Sequence, residues 1–209
     1  MLKAEDIRRA VCGAYQTNAY IVCPEGAQSA FVVDPGDCID RLRLAVQKAG
    51  RPVEALLLTH GHFDHTLGAQ PLQEDTGAIA YISAEDAEML EDPDLSAYDP
   101  AVCALTPPTD LDTAFYGTTV KVCGLTLQVL ATPGHSKGSV CLYEPEGKIL
   151  FSGDTLFCAG FGRMDLHGGS QRAMMDSIRR LFTLPDDTLV LPGHGGETTI
   201  GAEKRRYGR

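Results

Sequence analysis

A chain that carries His60-Gly61-His62-Phe63-Asp64-His65 concentrates four metal-binding side chains in one short stretch. Half of its six histidines lie there. Imidazole nitrogen and carboxylate oxygen are the donors that Zn²⁺ and the neighbouring first-row metals take. His60 and His62 are two apart and can face the same way in extended or tightly turned backbone, so one ion can take both. Asp64 and His65 are adjacent and can turn toward a second ion. Gly61 lets the backbone bend close to the site. The preceding run Val53-Glu54-Ala55-Leu56-Leu57-Leu58 is short and apolar, as a buried parallel strand is. The cluster then falls at the carboxyl end of that strand, where open α/β sheets place their ligands.

The other reading of such a cluster is a hydrogen-bonded turn with solvated histidines. It is weakened by three further candidates in one shared setting. His135 follows the 125–131 strand in Thr132-Pro133-Gly134-His135. Asp154 follows the 148–151 strand in Ser152-Gly153-Asp154. His194 follows the 188–191 strand in Pro192-Gly193-His194. Each is a polar ligand beside a glycine at a strand end. The sum is five histidines and two aspartates, which suits two ions, one bridging carboxylate and a bridging water. Two-metal hydrolytic sites hold their ions roughly 3.5–4 Å apart, make hydroxide available at neutral pH, and polarise a carbonyl.

The rest of the chain sets the frame. Its 209 residues fit one large domain, 1–209. The net charge of −10 makes a nucleic-acid backbone an unlikely partner. No run of about 18 apolar residues marks a membrane span, and the N-terminus lacks the apolar core of a signal peptide. The seven cysteines are odd in number and form no C-x-x-C pair. Free thiols, mostly small fillers in strands, in a reducing cytoplasm are therefore expected.

Alternating patterns predict hairpins at 20–23/30–33, 119–122/125–130 and 139–143/148–151. A helix is expected from Ile39 to Ala49, a second from about Thr66 to Thr76 with Pro71 as a possible kink, and a third from Ser83 to Leu90 with Asp86 in its capping box. Ser170 should cap an amphipathic helix bearing Met174, Ile178, Leu181 and Phe182. A short helix should start at Thr198 or Thr199. Residues 91–116, with four prolines and five aspartates, read as a surface excursion: a solvated loop in preference to a wall over the site.

The segments Thr59–His65, Thr132–His135, Gly153-Asp154 and Pro192–His194 resemble the metallo-β-lactamase superfamily over nearly the whole chain. The finer resemblance is to short glyoxalase II-like hydrolases, through Gly153-Asp154-Thr155-Leu156-Phe157, Gly162-Arg163 with Asp165, and Leu184-Pro185-Asp186-Asp187-Thr188. The resemblance implies an α/β fold, a four-layer αββα sandwich with the site at one edge. It implies that His60, His62 and His135 hold the first metal, that Asp64, His65 and His194 hold the second, and that Asp154 bridges. Two divalent ions are implied, zinc first, with iron or manganese as alternatives. Asp64 and Asp154 are then the carboxylates of the catalytic centre, whose bridging hydroxide attacks a thioester carbonyl, as in S-lactoylglutathione. Authentic β-lactamases commonly use a cysteine where Asp154 stands, which disfavours lactams. The C-terminal helical domain that holds glutathione in the longer relatives is not expected here, which leaves Arg163, Lys137 and the basic residues Lys204, Arg205 and Arg206 as carrier contacts. The alternatives in the same superfamily are a mononuclear-iron persulfide dioxygenase and a lactonase.

Four single residues carry expectations of their own. Arg163 either binds a substrate carboxylate or pairs with Asp165 to brace its loop, and bracing is the preferred reading. Asp34 is expected either to bond the ligand loops or to serve as a plain turn residue. Cys158 is expected as a filler, and His167 as solvent-exposed.

Overall fold

The computed structural model describes residues 1–207, and its topology follows from where the apolar runs fall. The first sheet holds β1 (Ile7–Cys12), β2 (Thr17–Val22), β3 (Ala30–Val33), β4 (Val53–Leu57), β5 (Ile79–Ile82) and β6 (Thr113–Phe115), side by side in chain order. The pairs from β1 to β3 are antiparallel and those from β3 to β6 are parallel. The second sheet holds β7 (Thr119–Val122), β8 (Leu125–Ala131), β9 (Val140–Glu144), β10 (Ile149–Gly153), β11 (Leu189–Pro192) and β12 (Thr198–Thr199), again in chain order. There β10 and β11 are parallel and the other pairs antiparallel.

Strand alternation sends one side chain set of each sheet into a shared interior. Val22, Phe31, Val33 and Leu57 of the first sheet meet Leu127, Leu142, Phe151 and Leu191 of the second. The opposite faces are covered by helices. Ile21, Val32, Leu56 and Ala80 pack with Leu42 of α1 (Ile39–Ala49) and with Ala69 and Leu72. Cys141, Leu150 and Val190 pack with Met174, Ile178 and Leu181 of α4 (Gln171–Leu181) and with Ile200 of α5 (Ile200–Tyr207). The result is helix, sheet, sheet, helix. Among the described residues, no helix is long and apolar enough to cross a membrane.

Several local expectations hold in detail. Gly50 and Gly77 end their helices in the left-handed conformation. The Ser170 hydroxyl accepts from the Ala173 N–H at the start of α4. Others need correction. The helix expected over 66–76 is split into α2 (Phe63–Thr66) and α3 (Ala69–Thr76), because the Gly68 N–H is diverted to the Pro35 carbonyl at 2.7 Å. Pro71 falls in the first turn of α3, where its missing N–H has no intrahelical partner to lose. The helix expected over 83–90 is only a 3-10 turn, Ala87–Leu90, because the Asp86 carboxylate is used elsewhere, as described below. β1 carried no alternating signal strong enough to predict it.

The cysteine reading is also corrected. Cys12, at the end of β1, and Cys38, just before α1, form a disulfide with Cα atoms 4.8 Å apart. The bond spans 26 residues, a separation no sequence motif marks. It removes the inference from seven free thiols to a reducing compartment. Cys158 is exposed, so it is not a core filler, whereas Cys123 and Cys141 are buried.

The 91–116 excursion is not merely a solvated loop. Ser96 is buried and its carbonyl accepts the Phe63 N–H. Asp37 accepts from the N–H groups of Ala104 and Leu105 at 2.7 and 3.0 Å. The loop is thereby tied to the segment that carries the histidine cluster.

Candidate metal centre

The parallel strands decide where the polar loops emerge. β4 ends just before His60, β8 before His135, β10 immediately before Asp154, and β11 before His194. One sheet therefore contributes His60, His62, Asp64 and His65, and the other contributes His135, Asp154 and His194. All seven converge at one edge of the sandwich.

They form three overlapping groups, each with its ligand atoms within 4.8 Å of one another: His60 with His62 and His135, His60 with His65 and Asp154, and Asp64 with His65 and His194. Asp154 is the member placed between the outer two. Its Oδ1 lies 3.4 Å from His65 Nε2, and its Oδ2 lies 3.5 Å from His135 Nε2 and 3.4 Å from His194 Nε2. Glycine is required at two points here. A Cβ on Gly193 would overlap Asp154 Oδ1, and Gly153, at φ +48°, sits against the Thr59 hydroxyl.

The donor set fits metal ions on its own evidence. His60 Nε2, His62 Nε2 and Asp154 Oδ1 are buried and have no hydrogen-bond partner, an arrangement that costs free energy unless something fills it. His62 Nδ1 faces His135 Nε2 at 2.8 Å. Burial, reinforced by neighbouring imidazoles, holds His60 well below its ordinary pKa and brings His62 down to about 3, so both stay neutral and ready to coordinate.

The opposite group is poised differently. Burial opposes the ionisation of Asp64, but His65 and His194 outweigh it and bring Asp64 down to about 2. Burial likewise opposes a charge on His194, but hydrogen bonds to Asp154 and Asp64 outweigh it and raise the pKa to about 9. His65 is raised well above its ordinary value by Asp64, Asp154 and Asp34, again against burial.

These shifts give a prediction. In the metal-free protein the raised His194 pKa contributes stability that is fully present below its ordinary value of 6.5 and is lost as pH rises through about 9. A metal must expel that proton. Apparent zinc affinity should therefore rise about tenfold per pH unit for each proton displaced, and the His194 share should level off above pH 9. Calorimetric zinc titration in two buffers of different ionisation enthalpy reads the proton directly. A heat independent of buffer at pH 7.5 would sink the expectation.

A second ring of bonds fixes four of the five imidazoles. His135 Nδ1 donates to the Arg163 carbonyl at 2.7 Å, and His194 Nδ1 donates to the Tyr15 carbonyl at 3.0 Å. His65 Nδ1 lies 3.0 Å from Asp34 Oδ2. The Thr59 hydroxyl donates to that same oxygen at 2.7 Å and takes the His60 Nδ1–H at 3.0 Å. Each of these four rings thus turns Nε2 toward the cluster, whereas His62 meets His135 through Nδ1. Asp34 is therefore far more than a turn residue, since its Oδ1 also accepts the Thr59 N–H at 2.8 Å.

Two further residues support the site in roles the sequence does not mark. The Thr17 hydroxyl donates to Asp64 Oδ2 at 2.6 Å. Asp86, fully buried, accepts from the N–H groups of Gly61 and Gly138 and from the Ser136 hydroxyl, at 3.1, 2.6 and 2.5 Å. It joins the His60–His62 loop to the His135 loop.

A cavity of about 320 Å³ lies over the cluster. Besides the ligands it is lined by Tyr15, Phe63, Ala97, Asp99, Arg163 and Leu166. The Arg163 guanidinium donates to both oxygens of Asp165 at 2.7 Å, the bracing arrangement. Lys137 is exposed and is not in the lining. Lys204 pairs with Asp186 and Arg206 with Glu203, also outside the lining. His167 is exposed, 4.0 Å from Glu88.

The comparisons with known proteins agree with this geometry. The family model of the metallo-beta-lactamase superfamily matches residues 12–194. The hydroxyacylglutathione hydrolase GloC of Haemophilus influenzae is 34% identical over 92% of each chain. Among solved structures, TTHA1623 in a di-iron-bound form superposes with a TM-score of 0.85 at 38% identity, over 95% of this chain and 97% of that one. The BLEG-1 B3 metallo-beta-lactamase superposes with a TM-score of 0.86 at 32% identity, over 95% and 96%. With the two-sheet sandwich, the ligand loops at its edge and a family match that runs through the last of those ligands, the chain belongs to the metallo-β-lactamase superfamily.

Proposed function

We propose that the protein is a binuclear metal-dependent hydrolase that cleaves thioesters of small thiols. The observation that carries this reading is the convergence of two ligand triplets on the single carboxylate of Asp154. His60, His62 and His135 would hold one ion, Asp64, His65 and His194 the other, and Asp154 would lie between them. Two divalent ions there supply water activation near neutral pH and polarisation of a carbonyl. The chain's own part is orientation: Asp34, Thr59 and the carbonyls of Arg163 and Tyr15 keep the rings of His65, His60, His135 and His194 aimed at the cluster.

The choice of thioester has a chemical and a comparative support. A thiolate is a far better leaving group than an amine, so cleavage needs no dedicated strong general acid. A relative at 34% identity bears the name hydroxyacylglutathione hydrolase. Zinc is the first choice of metal, and the di-iron form of a neighbour makes iron the alternative to weigh against it.

The test is one assay series on metal-quantified protein with a thioester, a lactone, a lactam and a persulfide. About two ions per chain and fastest turnover of the thioester are expected. Fastest turnover of the lactam would move the protein toward its B3 metallo-beta-lactamase neighbour. One iron per chain with oxygen uptake on the persulfide would replace hydrolysis by dioxygenation.

A further inference from the structure

The cavity over the cluster differs in character between its two flanks. On the Asp64–His65–His194 side stands a row of aromatic rings. Tyr15 meets Phe63 edge-on with centroids 5.3 Å apart, and Phe63 meets Tyr98 in the same manner at 6.1 Å. Ala97 joins this wall with φ +60°, a left-handed conformation that a residue with a Cβ rarely adopts. It is held there between the Ser96 carbonyl, bound to the Phe63 N–H, and the Tyr98 hydroxyl, bound to the Leu105 carbonyl. Tyr15 keeps 50% of its surface exposed, while Phe63 behind it keeps 6%. An aromatic surface left open beside reactive groups is a binding surface in waiting.

The His135 side carries Arg163 and Leu166 and no aromatic ring in the lining. Arg163 is the cation of the lining, its side chain is 61% exposed, and its fork is already filled by Asp165. Asp99, which follows Tyr98 in the chain on the aromatic side, adds a negative charge to the rim. Outside the metal centre, a highly anionic carrier therefore meets no unpaired cationic side chain in the lining. A volume of about 320 Å³ is at the small end for ligand cavities. A bulky group leaves more readily past the exposed Arg163 than through the wall formed by Phe63, which Tyr98 backs.

We propose that Tyr15, Phe63 and Ala97 form an acyl subsite, and that the preferred substrates carry a short unsubstituted aliphatic acyl group, with the thiol carrier directed past Arg163. This rests on the thioester reading above and names its substrate class. Tyr15 is the specificity-determining side chain, since its ring forms the open part of the wall.

The experiment compares acetyl, butanoyl and hexanoyl thioesters of one small uncharged thiol, and lactoyl against propanoyl, at fixed metal content. The same protein is titrated calorimetrically with acetate, butanoate and hexanoate. We expect kcat/KM to rise about two- to fourfold per methylene until the wall is covered, propanoyl to exceed lactoyl, and the acids to bind more tightly with length. In Tyr15→Ala the hexanoyl-to-acetyl ratio should fall about tenfold, through KM. Tyr15→Phe should retain the ratio, and Tyr15→Gln should lose it as Ala does. A ratio flat with chain length in wild type, a lactoyl preference, or a Tyr15→Ala ratio equal to wild type would overturn the subsite. Absence of turnover on every thioester, with acid binding that still climbs with length and collapses in Tyr15→Ala, would sink the thioester reading and leave the apolar subsite standing.

Discussion

Asp154→Ala should empty at least one metal position and lower turnover by about 100-fold or more. Outer partners of metal ligands alone are worth about 10–100-fold, and Asp154 stands closer than that. It is the carboxylate within 3.5 Å of ring nitrogens from His65, His135 and His194 at once. Its loss also removes one of the charges that raise His65 and His194, so the metal-free site should titrate differently as well as bind more weakly. Elemental analysis and turnover are measured on the same preparation, with circular dichroism to show that the fold is intact. Two ions per chain and near-normal turnover in the variant would end the binuclear account.

Asp34→Ala should be the most destabilising single change near the site. Three donors converge on that carboxylate: the Thr59 N–H, the Thr59 hydroxyl and His65 Nδ1–H. The residue is 2% exposed, so water does not replace the lost acceptor. Bonds to a charged group and the donors left unmet together amount to about 3 kcal/mol, or a melting temperature lower by roughly 6–12 °C. The backbone at Asp34 has φ +49°, which asparagine tolerates better than alanine. Asp34→Asn should therefore recover much of the stability while still losing about 10–100-fold in metal affinity, because the negative charge beside His65 is gone and only one of the two side-chain atoms still accepts. An Asp34→Ala protein that melts with the wild type and holds its metals would show that His65 needs no such support.

The candidate ligands are legible because they announce their chemistry locally: histidines and aspartates, gathered in one cluster or standing beside a glycine, that follow apolar runs. Their supports are not. Asp86 follows Ser83 at capping-box spacing, so the local reading is a helix start. What it holds are the N–H groups of Gly61 and Gly138, 25 and 52 residues away. Thr17 looks like any strand threonine until β2 places it 2.6 Å from Asp64. β1 escaped because an edge strand that exposes Arg8 and Arg9 lacks a clean alternation. The Cys12–Cys38 bond depends on β1 and α1 lying together, a tertiary fact. The packing of the 91–116 excursion is not legible because proline and aspartate mark irregular backbone without saying what it packs on.

The last ligand is clamped by the first strands. Thr17 bridges to His194, the Asn18 N–H donates to the Gly193 carbonyl, and the Asn18 amide and Tyr20 hydroxyl both donate to the Pro192 carbonyl. The centre is therefore completed only when the two ends of the sequence meet, across separations of 172 and 174 residues, so a change that loosens β2 loosens the seat of His194 without touching a metal-binding side chain.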